Sequence, residues 1–337
     1  MNSMTPDLIS FEKQGEDVQS LLFQVRKNEL VHACLISGEK GLGKRTFARL
    51  IAASLLCRSD GTRPCGICPS CKMIQKNDHP DLLSISRTSP DGSDIKEKAS
   101  ISVDDIRGMI QAFGTRTLDG YPRIALIYEA DKMTVQAQNC LLKTLEEPPE
   151  KTCILLITEH PDVLLPTIIS RCRHIRLKRW RDDYISEILD SQGISSENRN
   201  DIISAANGSV GKALELANDE QYWKIRSGIV NDFFGTTERS SILKISTEWK
   251  EKKNESDRLF GILESLVRML LQQRIRHDSK EQIDKLFPER WKEFAENAEP
   301  ERFVFLLDSI SSARKQTLAN VNFQAIVEQL LYIFMGE

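Results

Sequence analysis

The feature that most constrains the fold of this chain is a glycine-rich segment that follows a short apolar run. Residues 33–37 read ACLIS and residues 38–46 read GEKGLGKRT. Apolar residues at helical spacing come next, so the order is strand, glycine-rich loop and helix. The glycines of such a loop let backbone N–H groups point at phosphate oxygens, and the helix N-terminus adds its dipole. The segment therefore predicts a nucleotide-binding P-loop.

The P-loop has one departure from its usual pattern. The motif requires Ser or Thr directly after the lysine to bind Mg²⁺, whereas Arg45 follows Lys44 here and Thr46 comes one residue late. One residue is about 100° of rotation around a helix, so we expect Thr46 to point elsewhere. A glycine-rich turn without a ligand is the alternative, and it stays open for the present-day protein. The candidate nucleotide-binding residues of the loop are Gly38, Gly41, Gly43, Lys44 and Thr46.

A second departure lies in the apolar run Ile124–Ile127, which is typical of a central parallel strand. P-loop ATPases usually end this strand with an Asp that holds Mg²⁺ and a Glu that activates the attacking water. Glu129 is at the position of the Glu, but Tyr128 is at that of the Asp. A phenol cannot replace a carboxylate as a hard anionic partner of Mg²⁺. Together with Arg45, Tyr128 predicts a pocket that does not hydrolyse ATP on its own.

Four cysteines follow the predicted P-loop helix with the spacing C-x7-C-x2-C-x2-C, and glycines and prolines separate them. They are Cys57, Cys65, Cys68 and Cys71. Four thiolates on short loops suit tetrahedral Zn²⁺, and a closed site of four cysteines is structural rather than catalytic. An iron–sulfur cluster is the alternative that the spacing leaves open. His79 is predicted to be a turn or core residue and not a ligand.

Beyond these motifs, short apolar runs alternate with helical patterns up to about residue 177. The predicted strands are Ala33–Ser37, Leu82–Ser86, Ile124–Tyr128, Ile154–Thr158 and Ile175–Leu177. This alternation predicts an α/β fold with a parallel sheet. A polar stretch, Arg87–Ser100, is predicted to be a loop. The pattern from 178 to the end is helical, with a polar connection at Gln192–Asn200, so 178–217 and 218–337 are predicted to be two further, all-helical domains.

Composition limits the classes of function. With 46 basic and 49 acidic residues the net charge is −3, so any contact with nucleic acid must be local or shared with partner subunits. No apolar run reaches the length of a membrane span, and the first residues do not form a secretory signal. We therefore expect a cytoplasmic protein whose cysteines are reduced or bind metal.

Over nearly its whole length the sequence resembles the AAA+ clamp-loader subunits of bacterial DNA polymerase III. Its most specific part is residues 139–149, NCLLKTLEEPP, which is followed by Ser170-Arg171-Cys172. The cysteine module after the P-loop helix, His79-Pro80-Asp81 and Asn320-Val321-Asn322 also match this family. The resemblance implies a RecA-like AAA+ domain at 1–177 with a four-cysteine zinc module at 57–71. A small helical lid at 178–217 and an all-α collar for oligomerisation at 218–337 would follow.

The family contains motor subunits (gamma or tau), which hydrolyse ATP, and a non-motor delta-prime subunit with a decayed site. Motor subunits usually have an arginine where this chain has Gly211, which is a third departure after Arg45 and Tyr128. The resemblance therefore implies a delta-prime-like subunit that keeps Arg171 as an arginine finger for the ATP of a neighbour. A salt bridge at the sheet edge is the alternative role of Arg171. Thr158 matches a position that senses the γ-phosphate in working sites.

The resemblance also implies the partners: gamma or tau and delta subunits, the sliding clamp, and primer–template DNA reached through the assembled hetero-oligomer during DNA replication. Two rivals remain. One is an active motor ATPase of the same family, and the other is a zinc-stabilised scaffold without a nucleotide role. Whether the altered pocket still binds nucleotide is left open.

Overall fold

The computed structural model describes residues 8–27, 29, 31–87, 99–114, 121–194, 199–277 and 280–336. Most of the loop predicted at Arg87–Ser100 and part of the connection predicted at Gln192–Asn200 lie outside these residues. The chain divides into two compact units. The first contains the described residues up to Gln192 together with Gly208–Gly211, and the second contains the remainder. The division into 1–177, 178–217 and 218–337 remains a prediction.

The described residues of the first unit form one sheet of five parallel strands, as predicted. They are Ala33–Ser37 (β1), Leu82–Ile85 (β2), Arg123–Ile127 (β3), Thr152–Thr158 (β4) and Arg173–Arg176 (β5), and their spatial order is β2-β3-β4-β1-β5. Every residue of β1, β3 and β4 is buried, because helices cover both faces of a parallel sheet. This is why these strands have continuous apolar runs.

Two strands begin two residues earlier than predicted: β4 at Thr152 instead of Ile154, and β5 at Arg173 instead of Ile175. Only Ile175 is fully buried in this edge strand, and Arg176 is exposed. An edge strand with charged side chains has too short an apolar signal to show where it starts, and such charges protect the edge from pairing with other chains.

Eight α-helices among the described residues of the first unit surround the sheet. They are Leu8–Phe11 (α1), Glu16–Arg26 (α2), Lys44–Leu56 (α3), Pro69–Gln75 (α4), Val103–Phe113 (α5), Val135–Glu146 (α6), Pro166–Ile169 (α7) and Asp182–Ser191 (α8). The start of α5 follows from its sequence, because Ser102 and Asp105 form a reciprocal capping box. Helix α6 likewise begins after the Thr134 side chain, which accepts a hydrogen bond from the N–H of Ala137.

The second unit is helical throughout its described residues. Its helices are Arg199–Ala206 (α9), Val210–Ala217 (α10, whose first two residues belong to the first unit), Glu220–Ile229 (α11), Arg239–Glu251 (α12), Ser256–Arg276 (α13), Lys280–Leu286 (α14), Glu289–Asn297 (α15), Pro300–Leu318 (α16) and Phe323–Met335 (α17). Apolar residues recur at helical spacing along α13 and are buried there: Leu259, Ile262, Leu263, Leu266, Val267 and Leu270. Among all the helices described, none is long and apolar enough to span a bilayer.

Candidate functional site

The glycine-rich loop lies at the carboxyl edge of the sheet, between the end of β1 and the start of α3. Gly43 ends the loop with a φ of 89°, a left-handed conformation that glycine adopts without steric cost, and α3 begins at the next residue. Ser37 at the end of β1 pairs with Thr158 at the end of β4, so the carboxyl ends of both strands meet beside the loop. The structure therefore has the strand, loop and helix that the sequence predicts.

Lys44 turns its amine back onto the loop. Its Nζ donates hydrogen bonds to the carbonyl oxygens of Gly38 at 2.8 Å and Glu39 at 2.6 Å, and it lies 3.4 Å from a carboxylate oxygen of Glu159. Only 7% of Lys44 is exposed, and this burial lowers the pKa of the amine, while Glu159 acts in the opposite direction. The lysine that would contact phosphates is thus satisfied by groups of the protein itself.

The other carbonyl groups of the loop also have partners within the first unit. Ser209 donates its hydroxyl to the carbonyl of Lys40, and the N–H of Gly211 donates to Gly41 at 2.9 Å. The indole of Trp180 donates to Leu42 at 3.0 Å. Together with the two bonds from Lys44, the five consecutive carbonyls from Gly38 to Leu42 all accept hydrogen bonds. These hydrogen bonds, from Lys44 on one hand and from Trp180, Ser209 and Gly211 on the other, fix the backbone conformation of the loop.

Gly211 shows why an arginine does not fit at this position. A Cβ atom added there would lie 3.0 Å from the Cα of Gly41 and 3.3 Å from its carbonyl oxygen. Such a contact between two backbone segments can be relieved only if one of them moves. The segment Gly208–Gly211 approaches the loop with its backbone, in place of the charged side chain that a motor subunit would direct at the phosphates.

Arg45 and Tyr128, the two residues at expected Mg²⁺-binding positions, contact each other. The guanidinium carbon of Arg45 lies 5.1 Å from the centre of the Tyr128 ring, which is a cation–π contact. Burial raises the pKa of Tyr128, so its phenol keeps its proton. Glu129 has a left-handed backbone conformation with a φ of 53° and pairs with Arg87 at 3.1 Å. Its second carboxylate oxygen lies 3.9 Å from Arg45.

These side chains do not fit a Mg²⁺ ion. Magnesium requires oxygen ligands close to 2.0–2.1 Å, including carboxylates and water. Here a guanidinium, which has no acceptor atom, stands beside Glu129, and the Asp position has a neutral phenol. Thr46 lies within α3 and is half-buried. The predicted loss of the metal-binding side chains therefore agrees with the contacts of their replacements.

Thr158 is buried at the end of β4. Its hydroxyl donates to a carboxylate oxygen of Asp131 at 2.7 Å and accepts from the N–H of His160 at 3.0 Å. Both hydrogen-bonding roles of the hydroxyl are thus filled within the fold. The next residue, Glu159, is the carboxylate beside Lys44. Sequence reasoning selected Thr158 and missed Glu159, although its position directly after the strand was a usable signal; Arg87 had no such signal.

The four cysteines come together around the start of α4 as a group that could hold a metal ion. Their sulfur atoms all lie within 4.8 Å of one another, and the Sγ pairs Cys57–Cys68 and Cys65–Cys71 are each 4.0 Å apart. A tetrahedral zinc with bonds of about 2.3 Å places its sulfur ligands roughly 3.8 Å apart. A cluster with several metal atoms would hold the sulfurs farther apart than a single ion does. The four side chains fit a single tetrahedral ion.

Backbone donors prepare this group for a cation. Burial acts to raise the pKa of the Cys68 thiol, but hydrogen bonds from backbone groups, that of Cys71 first among them, outweigh it and bring this pKa to about 6. Cys68 is also the N-cap of α4, where the helix dipole favours a thiolate. Burial raises the pKa of Cys57 and Cys71, so these two thiols need a bound cation to lose their protons. Metal binding should therefore weaken at low pH.

His79 belongs to the core, as predicted, and connects the cysteine module to the sheet. The N–H of Asp81 donates to His79 Nδ1 at 3.1 Å, so the ring carries its proton on Nε2 and donates to Ser70 Oγ at 2.9 Å. The Ser70 hydroxyl then donates to the carbonyl of Leu56 at 2.6 Å. Asp81 pairs in turn with Arg123 at the start of β3, at 3.1 Å.

Arg171 lies at the other edge of the sheet. It precedes β5, whereas the P-loop follows β1, and these strands are parallel neighbours, so the two sites are at opposite ends of the strands. Its guanidinium is 2.5 Å from a carboxylate oxygen of Glu146 and donates to the carbonyl of Thr167 at 3.1 Å. About a third of the side chain, 34%, is exposed.

The parallel sheet, the P-loop after β1 and the surrounding helices define a RecA-like AAA+ domain, and it is followed by a helical region. The family model described as "DNA polymerase III, delta subunit" matches residues 13–181. The chain is 31% identical to the DNA polymerase III subunit delta-prime of Bacillus subtilis (strain 168), over 96% of this chain and 98% of that protein. The chain belongs to the family of DNA polymerase III delta-prime subunits.

Two other matches differ from this one in coverage or in identity. The DNA polymerase III subunit tau/gamma of Haemophilus influenzae is 34% identical over 60% of this chain, which spans only 29% of that longer protein. A solved structure, a DNA polymerase III gamma-subunit-related protein from Thermotoga maritima, is 20% identical, with a TM-score of 0.48 over 95% of this chain and 99% of that one.

Proposed function

We propose that this chain is a non-motor subunit of the DNA polymerase III clamp loader. It does not hydrolyse ATP on its own, and it presents Arg171 to the ATP bound by a neighbouring gamma or tau subunit. With the delta subunit, the complex places the sliding clamp on primer–template DNA. Family membership supports the assembly, and the names of the tau/gamma relatives support the kind of neighbour.

One observation carries the proposal. The groups that would serve the chain's own nucleotide are replaced or occupied, while an arginine outside that pocket stays at the surface. Lys44 is bonded to loop carbonyls and Arg45 stands against Glu129, whereas Arg171 lies at the opposite sheet edge with its guanidinium within reach of another molecule. The chain is thus unsuited to its own hydrolysis and suited to assisting that of another subunit.

The role of Arg171 would be electrostatic. An arginine supplied by a neighbour stabilises the negative charge that spreads over the transferring phosphoryl group, and GTPases gain about 10³–10⁵ in rate from such a finger. The planar guanidinium is always charged and can donate two parallel hydrogen bonds to phosphate oxygens. Neither property depends on the chain's own P-loop.

A structural zinc ion completes the proposal. The four sulfurs have the spacing that a single tetrahedral ion requires, and all four positions would be filled by protein, which leaves none for catalysis. Zinc would therefore stabilise the segment between α3 and β2. The DNA contacts are proposed to run through the assembled complex, in line with the net charge of −3.

The experiment that tests this function is Arg171→Ala in the assembled complex with clamp and primed DNA. We expect the ATPase rate to fall at least about tenfold, given the size of finger effects. Arg171→Lys should not restore it, because an ammonium lacks the planar fork. Arg181→Ala is the matched control, since Arg181 is an arginine of the same unit that lies beyond the other end of β5, and its side chain is 87% exposed.

Each rival function predicts a different result. An unchanged ATPase rate with Arg171→Ala would favour a scaffold without a nucleotide role. ATP turnover by the isolated chain would favour a motor subunit, and it would require Mg²⁺ to be held in spite of Arg45 and Tyr128.

A further inference from the structure

Arg45 and Tyr128 are far apart in the sequence, yet their side chains are in contact with each other beside Glu129. The guanidinium of Arg45 lies over the Tyr128 ring at 5.1 Å and is 3.9 Å from one carboxylate oxygen of Glu129. That oxygen is buried and accepts no hydrogen bond among the described residues. Burying a carboxylate oxygen without a compensating cation is costly in free energy. On this side of the Glu129 carboxylate, Arg45 is the described cation that offsets the charge.

The place of this guanidinium is that of a missing ion. In a working P-loop site, Mg²⁺ lies between the residue after the loop lysine and the carboxylates at the end of the strand that corresponds to β3. In this chain Arg45 is the residue after the loop lysine, and Tyr128 and Glu129 directly follow β3. The contacts of Arg45 thus connect the same two segments that a metal ion would connect.

The two replacements also suit each other. A guanidinium beside an aspartate at position 128 would form an ion pair, whereas beside Tyr128 it lies over an aromatic face. A threonine at position 45 would remove the cation from one side of Glu129 and leave Arg87, 3.1 Å from its other oxygen, as the described ion-pair partner. Each replacement therefore depends on the other for a satisfied environment.

We propose that the guanidinium of Arg45 is a built-in cation that takes the place of the divalent metal and excludes it from the pocket. Arg45 and Tyr128 act together: the fixed positive charge of Arg45 neutralises Glu129, and the ring of Tyr128 packs against the guanidinium. The inference deepens the proposed non-motor function and rests on it. It adds that the pocket is closed to divalent cations and that its shape does not depend on them.

The hydrogen bonds of the loop agree with this role. All five carbonyls from Gly38 to Leu42 accept donors from the protein, and none of these donors requires an ion. A loop that switched with Mg²⁺ would have to break several of these bonds. The fixed cation and the bonded loop together keep one arrangement at this end of the sheet.

The test measures binding of Mn²⁺, a paramagnetic substitute for Mg²⁺, to the isolated full-length chain in the presence of ADP. The variants are Arg45→Thr, Tyr128→Asp and the double variant with both changes. Arg107→Thr is the matched control, because Arg107 is a similarly exposed helical arginine in α5, away from the P-loop. Electron paramagnetic resonance gives the fraction of Mn²⁺ that is bound.

We expect that the wild type and Arg107→Thr bind no more Mn²⁺ than ADP alone does in a sample without protein. The double variant should bind at least about tenfold more tightly, because it removes a repelling charge and adds a carboxylate ligand. Each single variant should gain far less. Tyr128→Asp alone would instead pair its new carboxylate with Arg45.

Three results would overturn the proposal: Mn²⁺ binding by the wild type, full binding by Tyr128→Asp alone, or no gain in a folded double variant. If the double variant does not fold, Arg45→Lys decides, since it keeps the charge and must exclude Mn²⁺ as the wild type does. Failure of the arginine finger would show only in the complex with Arg171 variants. Failure of the built-in cation shows in the isolated chain, so the two are distinguishable.

Discussion

The guanidinium of Arg171 lies 2.5 Å from the carboxylate of Glu146, the last residue of α6. The same guanidinium donates to the carbonyl of Thr167 in α7. Both side chains are partly exposed, 34% for Arg171 and 49% for Glu146, so this pair lies at the surface where another subunit can reach it. The proposed finger is therefore held by a carboxylate of its own chain before any phosphate arrives.

Glu146→Gln removes the charge of that carboxylate and should make Arg171 more available. A carboxylate beside the guanidinium competes with the phosphate and repels it. Exposed ion pairs contribute about 0.2–1 kcal/mol, so the ATPase rate of the complex should rise, by no more than about fivefold. The steady-state ATPase rate with clamp and primed DNA measures this change.

Glu147→Gln serves as the control for that experiment, because Glu147 is the adjacent exposed carboxylate and no contact with Arg171 is seen among the described residues. A fall in rate with Glu146→Gln as large as that with Arg171→Ala would contradict the expectation. It would mean that Glu146 orients the guanidinium for the phosphate instead of competing for it.

Gly211→Ala tests the close approach of two backbone segments. The new Cβ would lie 3.0 Å from the Cα of Gly41, so one segment must move, and the free energy of unfolding should fall by about 1–3 kcal/mol. Gly228→Ala is the matched control, because Gly228 lies within α11 and has no atom within 4 Å of an added Cβ. That control should gain about 0.5–1 kcal/mol, since alanine favours the helix. Denaturant unfolding of both variants measures the difference.

Removal of the metal should destabilise the first unit. We expect the purified chain to contain one zinc ion and to lose thermal stability when a chelator removes it, because structural zinc contributes directly to folding. Cys68→Ser should lose both the zinc and the stability. Cys140→Ser, which changes a cysteine of α6 outside the group, should keep them. A metal-free wild type of unchanged stability would argue against the site.

The buried His79 should make stability depend on pH. Burial lowers the pKa of His79 below its ordinary 6.5, so the unfolded chain binds this proton more readily than the folded chain. The contribution is complete above pH 6.5 and is lost as the pH falls from there through the folded pKa. Thermal unfolding between pH 7.5 and 5 measures this loss, with about 1.4 kcal/mol for each unit by which the two pKa values differ.

His79→Ala should be less stable than the wild type at pH 7.5 by about 1–3 kcal/mol, because it leaves buried partners unsatisfied. Its stability should also depend less on pH than that of the wild type. His160→Ala, at an exposed histidine, should keep the wild-type dependence. An equal pH dependence in His79→Ala and the wild type would show that other groups cause it.

Much of the site could be predicted because its signals are local. The strand and loop from Ala33 to Gly43 are contiguous, and the cysteine spacing brings four thiols together through short turns. The missing metal ligands could also be predicted, since each motif position is defined by its neighbours in the chain. Partners were harder: Arg87 beside Glu129 and Glu146 beside Arg171 have no local pattern, because both pairs join separate segments of the chain.

The sequence by itself determined the order of elements, the cysteine group and the altered chemistry at positions 45 and 128, because these depend on side-chain type and spacing along the chain. Only the tertiary structure decided what the altered residues do. It brought Arg45 onto Tyr128 and Glu129, and it placed the backbone of Gly211 against Gly41. The physical reason is that charge compensation and close packing depend on distances between remote segments, which parallel strands and their crossovers set only when the sheet has formed.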